Sequence, residues 1–169
     1  MEFHPGKCQT LRITNKTNPL VSTYKIHNIP IALVNSAKYL GVVIDSKLTW
    51  KNQYSAINKK CSNSLAFIRR NLPPSCPRQV RERCFTTLVR PITEYACQVW
   101  DPHYQTDIDL LEKIQKRGAR FVTRNYTMET GNTAKNLNTL GWTSLEERRL
   151  QLKLSTLKKS PTQTFRPPP

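Results

Sequence analysis

The stretch that decides the fold is AKYLGVVIDSKLTW, residues 37–50. Its segment YLGVVI is rich in aromatic and β-branched residues, which is typical of a strand. From Thr49 onward, apolar residues recur at steps of three and four instead of alternating. The chain therefore changes from β structure to helical structure within this stretch.

Residues 1–48 predict a small β unit. Apolar and polar residues alternate in TLRIT and YKIH, and IALV adds a further apolar segment. The intervening NKTNP and HNIP carry turn residues. Pro30 lacks an amide donor, so its strand lies at a sheet edge or begins at the proline. We expect three or four short antiparallel strands here.

Residues 49–159 predict a bundle of about four helices. The first helix carries an apolar stripe that begins at Trp50, and it ends before Pro73. The second is expected to kink or break near Arg90, because Pro91 follows. Its expected buried side consists of Val80, Cys84, Leu88, Ile92, Tyr95 and Val99.

The last two helices of the predicted bundle begin at capping signals. Thr106 with Asp109, and Ser144 with Glu147, have the spacing of a capping box. In such a box each of the two side chains accepts a hydrogen bond from the other residue's amide. These pairs therefore mark the expected starts of the third and fourth helices.

Two less regular segments complete the predicted organisation. The polar connector at residues 123–143 is expected to hold a short helix around residues 134–140. Residues 160–169 have no means of packing and are expected to be a disordered tail. The predicted fold class is α+β, with a small antiparallel β unit followed by a helical bundle.

The charge balance predicts a partner with dense negative charge. The chain has 27 Lys and Arg against 11 Asp and Glu, a formal charge of +16 and an isoelectric point near 10.0. Nucleic acid is the commonest such partner. No apolar run approaches the roughly 20 residues of a membrane-spanning helix, so no membrane partner is expected.

The densest group of cations lies on the third predicted helix. At about 100° per residue, its basic face consists of Lys113, Lys116, Arg117, Arg120 and Arg124. A neighbouring sector faces the core and consists of Ile108, Leu111, Ile114, Gly118, Phe121 and Val122. The cations repel one another by roughly 0.2–0.5 kcal/mol per pair. They are either a phosphate-binding surface or a solvated helix face. The first helix adds Lys59, Lys60, Arg69 and Arg70.

Residues for metal-dependent catalysis are not evident in the sequence. No two aspartates are adjacent, and the acids of the run at residues 107–109 fit the first turn of a helix. The three histidines are scattered, and the five cysteines show no CxxC spacing. We interpret the cysteines as reduced core thiols of a cytoplasmic or nuclear protein. The sequence therefore predicts no catalytic residue, no metal and no other cofactor in this chain.

Six segments occur in an order that matches one family of polymerases. They are HPGKCQTLRITNKTNP, AKYLGVVIDSKLTW, NKKCSNSLAFIRRNL, LVRPITEYACQVWDP, LEKIQKRGARFV and LGWTSLEERR. Together they resemble the carboxy-terminal part of a reverse transcriptase from a non-LTR (LINE-type, jockey- or CR1-like) retrotransposon. The resemblance covers nearly all of residues 3–158. It implies that the β unit is the end of the polymerase palm and that the helices are a thumb.

The resemblance also implies roles for individual residues. Lys7 corresponds to the lysine that follows the catalytic strand and assists the leaving pyrophosphate. Lys38, Tyr39, Leu40 and Gly41 correspond to the primer grip, a tight turn that positions the primer terminus. The parent enzyme uses Mg at a pair of aspartates that lies upstream of these motifs, and this chain has no counterpart of that pair.

We therefore expect a non-catalytic region that binds nucleic acid, either an RNA–DNA duplex or RNA. The palm and fingers portion that the chain lacks is a further candidate partner. Two alternatives stay open, a helical protein-interaction module and a non-functional remnant of the element. Exposure of Trp100, Trp142 and Tyr126 would favour the protein-interaction module.

Overall fold

The computed structural model describes residues 4–20, 22–127 and 131–159, so the predicted tail at residues 160–169 lies outside the described residues. The chain divides into two compact units, Met1–Ala56 and Ile57–Pro169. The described strands all lie in the first unit, and nearly all of the helical residues lie in the second. This arrangement confirms the predicted α+β class.

The first unit contains six short strands among its described residues. Their bounds are β1 Gln9–Leu11, β2 Lys25–Ile26, β3 Ile29–Pro30, β4 Ala32–Val34, β5 Ser36–Tyr39 and β6 Val42–Asp45. They form three two-stranded sheets. The pairs β2–β3 and β5–β6 are antiparallel, as the sequence predicts, but β1 pairs with β4 in parallel. A parallel pair needs a long crossover connection, and here the β2–β3 hairpin lies within that connection.

Both antiparallel pairs are joined by tight turns of two residues. In the β5–β6 turn Leu40 and Gly41 have φ angles of 45° and 85°, and in the β2–β3 turn His27 and Asn28 have 50° and 62°. Positive φ at both central positions is typical of a type I′ turn, which matches the twist of the strands. Glycine adopts this conformation freely, whereas Leu40 does so at a cost of about 1–2 kcal/mol.

Asp45 connects the last strand to the first helix. Its buried carboxylate accepts hydrogen bonds from the amides of Lys47 at 2.9 Å, Thr49 at 3.1 Å and Trp50 at 3.2 Å. The Thr49 hydroxyl donates to the same carboxylate at 2.9 Å. Amides at the start of a helix have no partner within the helix. Asp45 therefore fixes the backbone that leads into that helix.

The structure has seven α-helices among its described residues. Their bounds are α1 Lys51–Asn71, α2 Arg78–Leu88, α3 Arg90–Glu94, α4 Cys97–Trp100, α5 Gln105–Thr123, α6 Asn132–Leu140 and α7 Leu145–Lys159. The first helix ends before Pro73, and the short helix of the connector is present, as predicted. The predicted break near Arg90 is also present. A second break follows at Ala96, whose φ of 52° is left-handed, so one predicted helix becomes three.

The predicted buried side of this second helical segment is wrong. Val80 and Leu88 are exposed. The buried positions are instead Arg81, Phe85, Val89, Thr93, Cys97 and Trp100, one stripe further round the helix. Two large apolar side chains, Phe85 and Trp100, determine this orientation. Arg81 can be buried because it donates to the backbone carbonyl oxygen of Val122 from both Nε and Nη2.

Helix α5 packs against α2 at a close approach. Its predicted core sector is buried in full. A Cβ atom added at Gly118 would lie 2.1 Å from the ring of Phe85. Phe85 also stacks on Trp142, with ring centroids 4.9 Å apart, and the guanidinium of Arg90 lies 4.5 Å from the Trp142 centroid. Gly118 therefore allows an aromatic layer to lie against the backbone of α5.

The two predicted capping boxes have different outcomes. Ser144 does cap α7, because its hydroxyl accepts a hydrogen bond from the Glu147 amide at 3.0 Å. The box at Thr106 is wrong, since α5 begins at Gln105, before that threonine. Asp109 instead accepts a hydrogen bond from the Gln105 side chain at 3.0 Å.

Ion pairs connect α7 to Glu94 and Asp101. Arg149 is fully buried and donates from Nε to Asp101 at 2.8 Å, while Lys153 pairs with the other oxygen of that carboxylate. Burial raises the pKa of Asp101, but the hydrogen bonds from Lys153 and Arg149 outweigh burial and hold the pKa below its usual value. Arg148 pairs with Glu94 on α3.

The prediction of core cysteines holds for three of the five, whereas Cys8 and Cys84 are only partly buried. All five are free thiols, and Cys61, Cys76 and Cys97 are buried. Burial raises the pKa of the Cys61 thiol to about 12. Since only the thiolate is a nucleophile, Cys61 is a core side chain without reactivity at neutral pH.

Substituting Gly118→Ala should destabilise the helical unit. The added methyl group would overlap the Phe85 ring, and overpacking of this kind costs roughly 1–3 kcal/mol. Thermal unfolding, followed by the helical circular dichroism signal, should show a midpoint several degrees lower. The double variant with Phe85→Leu should lose less than the sum of the two single losses, because the smaller side chain makes room. Additive losses would contradict this contact.

Substituting Asp45→Asn should loosen the start of α1. Burial raises the pKa of Asp45, but its hydrogen bonds, those to Thr49 first, outweigh burial and lower that pKa. The stabilisation that the Asp45 carboxylate gives the folded state is therefore complete above about pH 3.9, the pKa of an aspartate in the unfolded chain. It is lost as the pH falls through the lower pKa that Asp45 has in the folded chain. Above that range the variant should lose about 1–3 kcal/mol of local stability.

Amide hydrogen exchange at Thr49 and Trp50 measures this change in local stability. Exchange should be faster in the Asp45→Asn variant at neutral pH, and the difference from the parent should shrink in acid. The exposed Asp109→Asn is the matched control and should leave both amides unchanged. Equal protection in parent and Asp45→Asn variant would disprove the role of this carboxylate.

Candidate nucleic-acid interface

The basic face of α5 lies beside α1. Lys113 and Lys116 are exposed, while Arg117 and Arg120 are half-buried. These four residues line one depression of about 320 Å³ together with Leu110 and with Asn58 of α1. The structure therefore brings together four of the five residues of the basic face.

Neutral side chains hold the two arginines of this depression in place. Arg117 donates from Nη2 to Asn58 Oδ1 at 2.7 Å and from Nη1 to Ser62 Oγ at 3.1 Å. Arg120 donates from Nη2 to Thr133 Oγ1 of α6 at 3.2 Å. Hydrogen bonds to neutral acceptors orient a guanidinium without cancelling its charge. The two arginines are therefore positioned by neutral side chains and not by carboxylates.

Acidic side chains are absent from the described residues that line this depression. The ion pairs found among residues 4–20, 22–127 and 131–159 all involve arginine or lysine of α7. Like charges held together in this way repel one another. The depression is therefore a surface of concentrated positive charge.

Arg124, the fifth residue of the basic face, departs from the predicted stripe. It is the C-cap of α5 and has a left-handed φ of 57°, so it leaves the helical path. Its side chain lines a second depression, of about 380 Å³, with Arg69 of α1 and Tyr126. The guanidinium of Arg69 lies 5.7 Å from the centroid of the Phe121 ring. The helical periodicity gave no sign of this separation.

The other predicted cations of α1 lie outside both depressions. Lys59, Lys60 and Arg70 are exposed on the helix and are absent from the lining of either depression. These three side chains are solvated in the structure. Of the predicted α1 cluster, only Arg69 lies with cations of α5.

The residues that the resemblance assigns to the primer grip form the tip of the β5–β6 hairpin. Lys38 and Tyr39 end β5, and Leu40 and Gly41 form the turn. Tyr39 is 66% exposed and Leu40 is 73% exposed. Lys7 is also exposed, at the end of a short 3-10 helix, Pro5–Lys7. All five residues belong to the first unit, and each is accessible to a ligand.

The described residues offer no donor set for a metal ion. No group of three or more His, Cys, Asp or Glu side chains lies close enough together within them to hold a metal ion. The acids of the run at residues 107–109 belong to the first turns of α5. In this same part of the chain, no helix is long and apolar enough to cross a membrane.

Two proteins of Drosophila melanogaster are similar to this chain. A probable RNA-directed DNA polymerase from transposon BS is 22% identical over 126 residues, which are 73% of this chain and 14% of the relative. A probable RNA-directed DNA polymerase from transposon X-element is 27% identical over 118 residues, which are 69% of this chain and 12% of the relative. The chain is reverse transcriptase-like. This finding confirms the resemblance to non-LTR retrotransposon enzymes.

The reverse transcriptase-like chain corresponds to a small part of its relatives. Its aligned residues span about one seventh of the BS polymerase and one eighth of the X-element polymerase. No protein-family model matches it, and no solved structure is significantly similar to it. The relationship therefore rests on the alignment to these polymerases.

Sequence reasoning missed the side chains that anchor the basic face. Asn58 and Ser62 are four residues apart, and each follows a buried residue of the apolar stripe of α1, Ile57 and Cys61. A polar position at the border of an apolar stripe meets the neighbouring helix at its edge. This spacing was the available signal for the anchor of Arg117.

Substituting Asn58→Ala should weaken the contact between α1 and α5. It removes the acceptor of a charged hydrogen bond and should lower the free energy of unfolding by about 1–3 kcal/mol. Urea denaturation measures this loss. Lys116→Ala, on the exposed side of the same depression, should change the free energy of unfolding by no more than about 0.5 kcal/mol. Equal values for the two variants would contradict an anchoring role for Asn58.

Proposed function

We propose that this region binds an RNA–DNA duplex through the phosphates along the basic face of α5. The observation that carries the proposal is the acid-free depression in which Lys113, Lys116, Arg117 and Arg120 converge. Phosphate contacts position a duplex without reading its sequence. The region would therefore act as a thumb-like clamp of low sequence specificity, and RNA is the second ligand to test.

We further propose that the region has no polymerase activity by itself. The aspartate pair that the resemblance assigns to the parent enzyme has no counterpart in the chain, and phosphoryl transfer with two metals requires such carboxylates. Magnesium would then belong to the whole polymerase and not to this region. Its protein partner would be the palm and fingers portion of a reverse transcriptase, in the cytoplasm or the nucleus.

A second candidate function is protein binding. Of the three aromatic residues that would favour it, Trp100 is fully buried, Trp142 stacks on Phe85, and Tyr126 is 53% exposed. These aromatic residues therefore give this reading little support. A different observation favours it, a row of exposed leucines along α7 at Leu150, Leu154 and Leu157. Their spacing gives α7 an apolar strip that a partner helix could cover.

A salt series tests the proposed duplex binding. The affinity for a labelled RNA–DNA duplex should fall linearly with salt concentration on a logarithmic plot, with a slope of about −0.9 per phosphate contact. Four or five contacts give a slope of about −4. Changing Lys113, Lys116, Arg117, Arg120 and Arg124 to Gln should weaken binding and flatten the slope.

Two controls separate the basic face from total charge and from folding. One variant changes five exposed cations elsewhere to Gln, namely Lys16, Lys25, Lys51, Arg83 and Lys158. The other changes only the exposed Lys113 and Lys116, so that the anchors of Arg117 stay intact. The first should bind nearly as the parent does, and the second should reduce the magnitude of the slope by about two. Equal weak binding by parent and all variants would overturn the proposal.

A further inference from the structure

The depression at the end of α5 has a different lining from the basic face. We call it the arginine–tyrosine pocket, and the residues that matter here are Arg69, Pro73, Arg81, Phe121, Arg124 and Tyr126. Its volume is about 380 Å³, within the range of small-ligand sites, about 300–1,000 Å³. It combines aromatic rings with cations, whereas the basic face has no aromatic residue in its depression.

The cations of the pocket divide into a fixed floor and an accessible rim. Arg81 is buried, and its guanidinium is engaged by the carbonyl oxygens of Val122 and Cys76. Arg69 and Arg124 are exposed. No acidic residue lines the pocket among the described residues. The rim therefore carries two guanidinium groups suited to an anion such as phosphate.

The aromatic rings of the pocket also differ in access. Phe121 is 6% exposed and supports the guanidinium of Arg69, so its ring belongs to the wall. Tyr126 is 53% exposed, just beyond the end of α5. An exposed aromatic ring beside arginines can hold an unpaired nucleotide. The base stacks on the ring, and the phosphate pairs with the guanidinium groups. Bases inside a duplex present no free face for such stacking.

We propose that the arginine–tyrosine pocket binds an unpaired nucleotide, with its base on Tyr126 and its phosphate at Arg69 and Arg124. This inference rests on the proposed function, because Arg124 caps the end of α5, four residues after Arg120 of the basic face. A strand that leaves a bound duplex would therefore meet the pocket next. The region would bind the junction between a duplex and a single strand more tightly than a blunt duplex.

The test compares a blunt RNA–DNA duplex with the same duplex carrying a short single-stranded overhang. Affinities are measured by fluorescence anisotropy, with 2-aminopurine in the overhang to report stacking. The parent chain should bind the overhang duplex at least fivefold more tightly, on the order expected for one base stacked on an aromatic ring. The Tyr126→Ala variant should lose this preference and the quenching of 2-aminopurine, while its affinity for the blunt duplex stays unchanged.

Two further variants keep the test specific. Tyr126→Phe retains the ring and should keep the preference for the overhang. Tyr104→Ala removes another exposed tyrosine, at the opposite end of α5, and should behave as the parent. Equal affinity of the parent for both duplexes, with salt-sensitive binding intact, would overturn the pocket alone. Failure of the parent to bind either duplex would overturn the proposed function as well.

Discussion

The close approach of Phe85 to Gly118 is the constraint on which the helical unit depends. The absence of a side chain at Gly118 lets α2 lie against α5, and the ring that fills the space also carries Trp142. Trp142 lies between α6 and α7 in the chain, and its indole donates to Glu82 at 3.0 Å. One glycine thus allows α2, α5 and the connection between α6 and α7 to meet at a single aromatic layer. Because the buried face of α5 packs against this aromatic layer, the basic face must lie on the other side of the helix.

Several of the few carboxylates among the described residues are used within the structure. Asp45 bonds backbone amides, Asp101 pairs with a buried arginine, Glu82 accepts from an indole, and Glu112 accepts from the amide of Glu146. Carboxylates in such roles cannot neutralise cations elsewhere. The formal charge of +16 is therefore expressed at the surface, and the depression between α1 and α5 is one place where it is concentrated. The same use of carboxylates therefore stabilises the fold and leaves positive charge at the surface.

The sequence pattern predicted those elements whose burial depends on residues close to them in the chain. The apolar stripe of α1 and the buried sector of α5 followed from periodicity, because one continuous helix presents one face. The orientation of α2 did not follow, since two of the hydrogen bonds that satisfy the buried Arg81 go to a carbonyl oxygen at Val122, 41 residues away. The parallel pairing of β1 with β4 also depends on distant residues. At the site, the cations were named from sequence, but the separation of Arg124 depends on a left-handed residue at a helix end.

The anchoring of Arg117 by Asn58 and Ser62 has an entropic consequence. An arginine free in solvent samples many rotamers, and fixing such a side chain on binding costs about 0.5–1.5 kcal/mol. Here that ordering has already taken place during folding, when the guanidinium met two neutral acceptors. An anion that reaches this face would therefore meet a donor array with its geometry already set. No internal ion pair would have to break first, and the resulting complex would gain rigidity from the helices and not from the ligand.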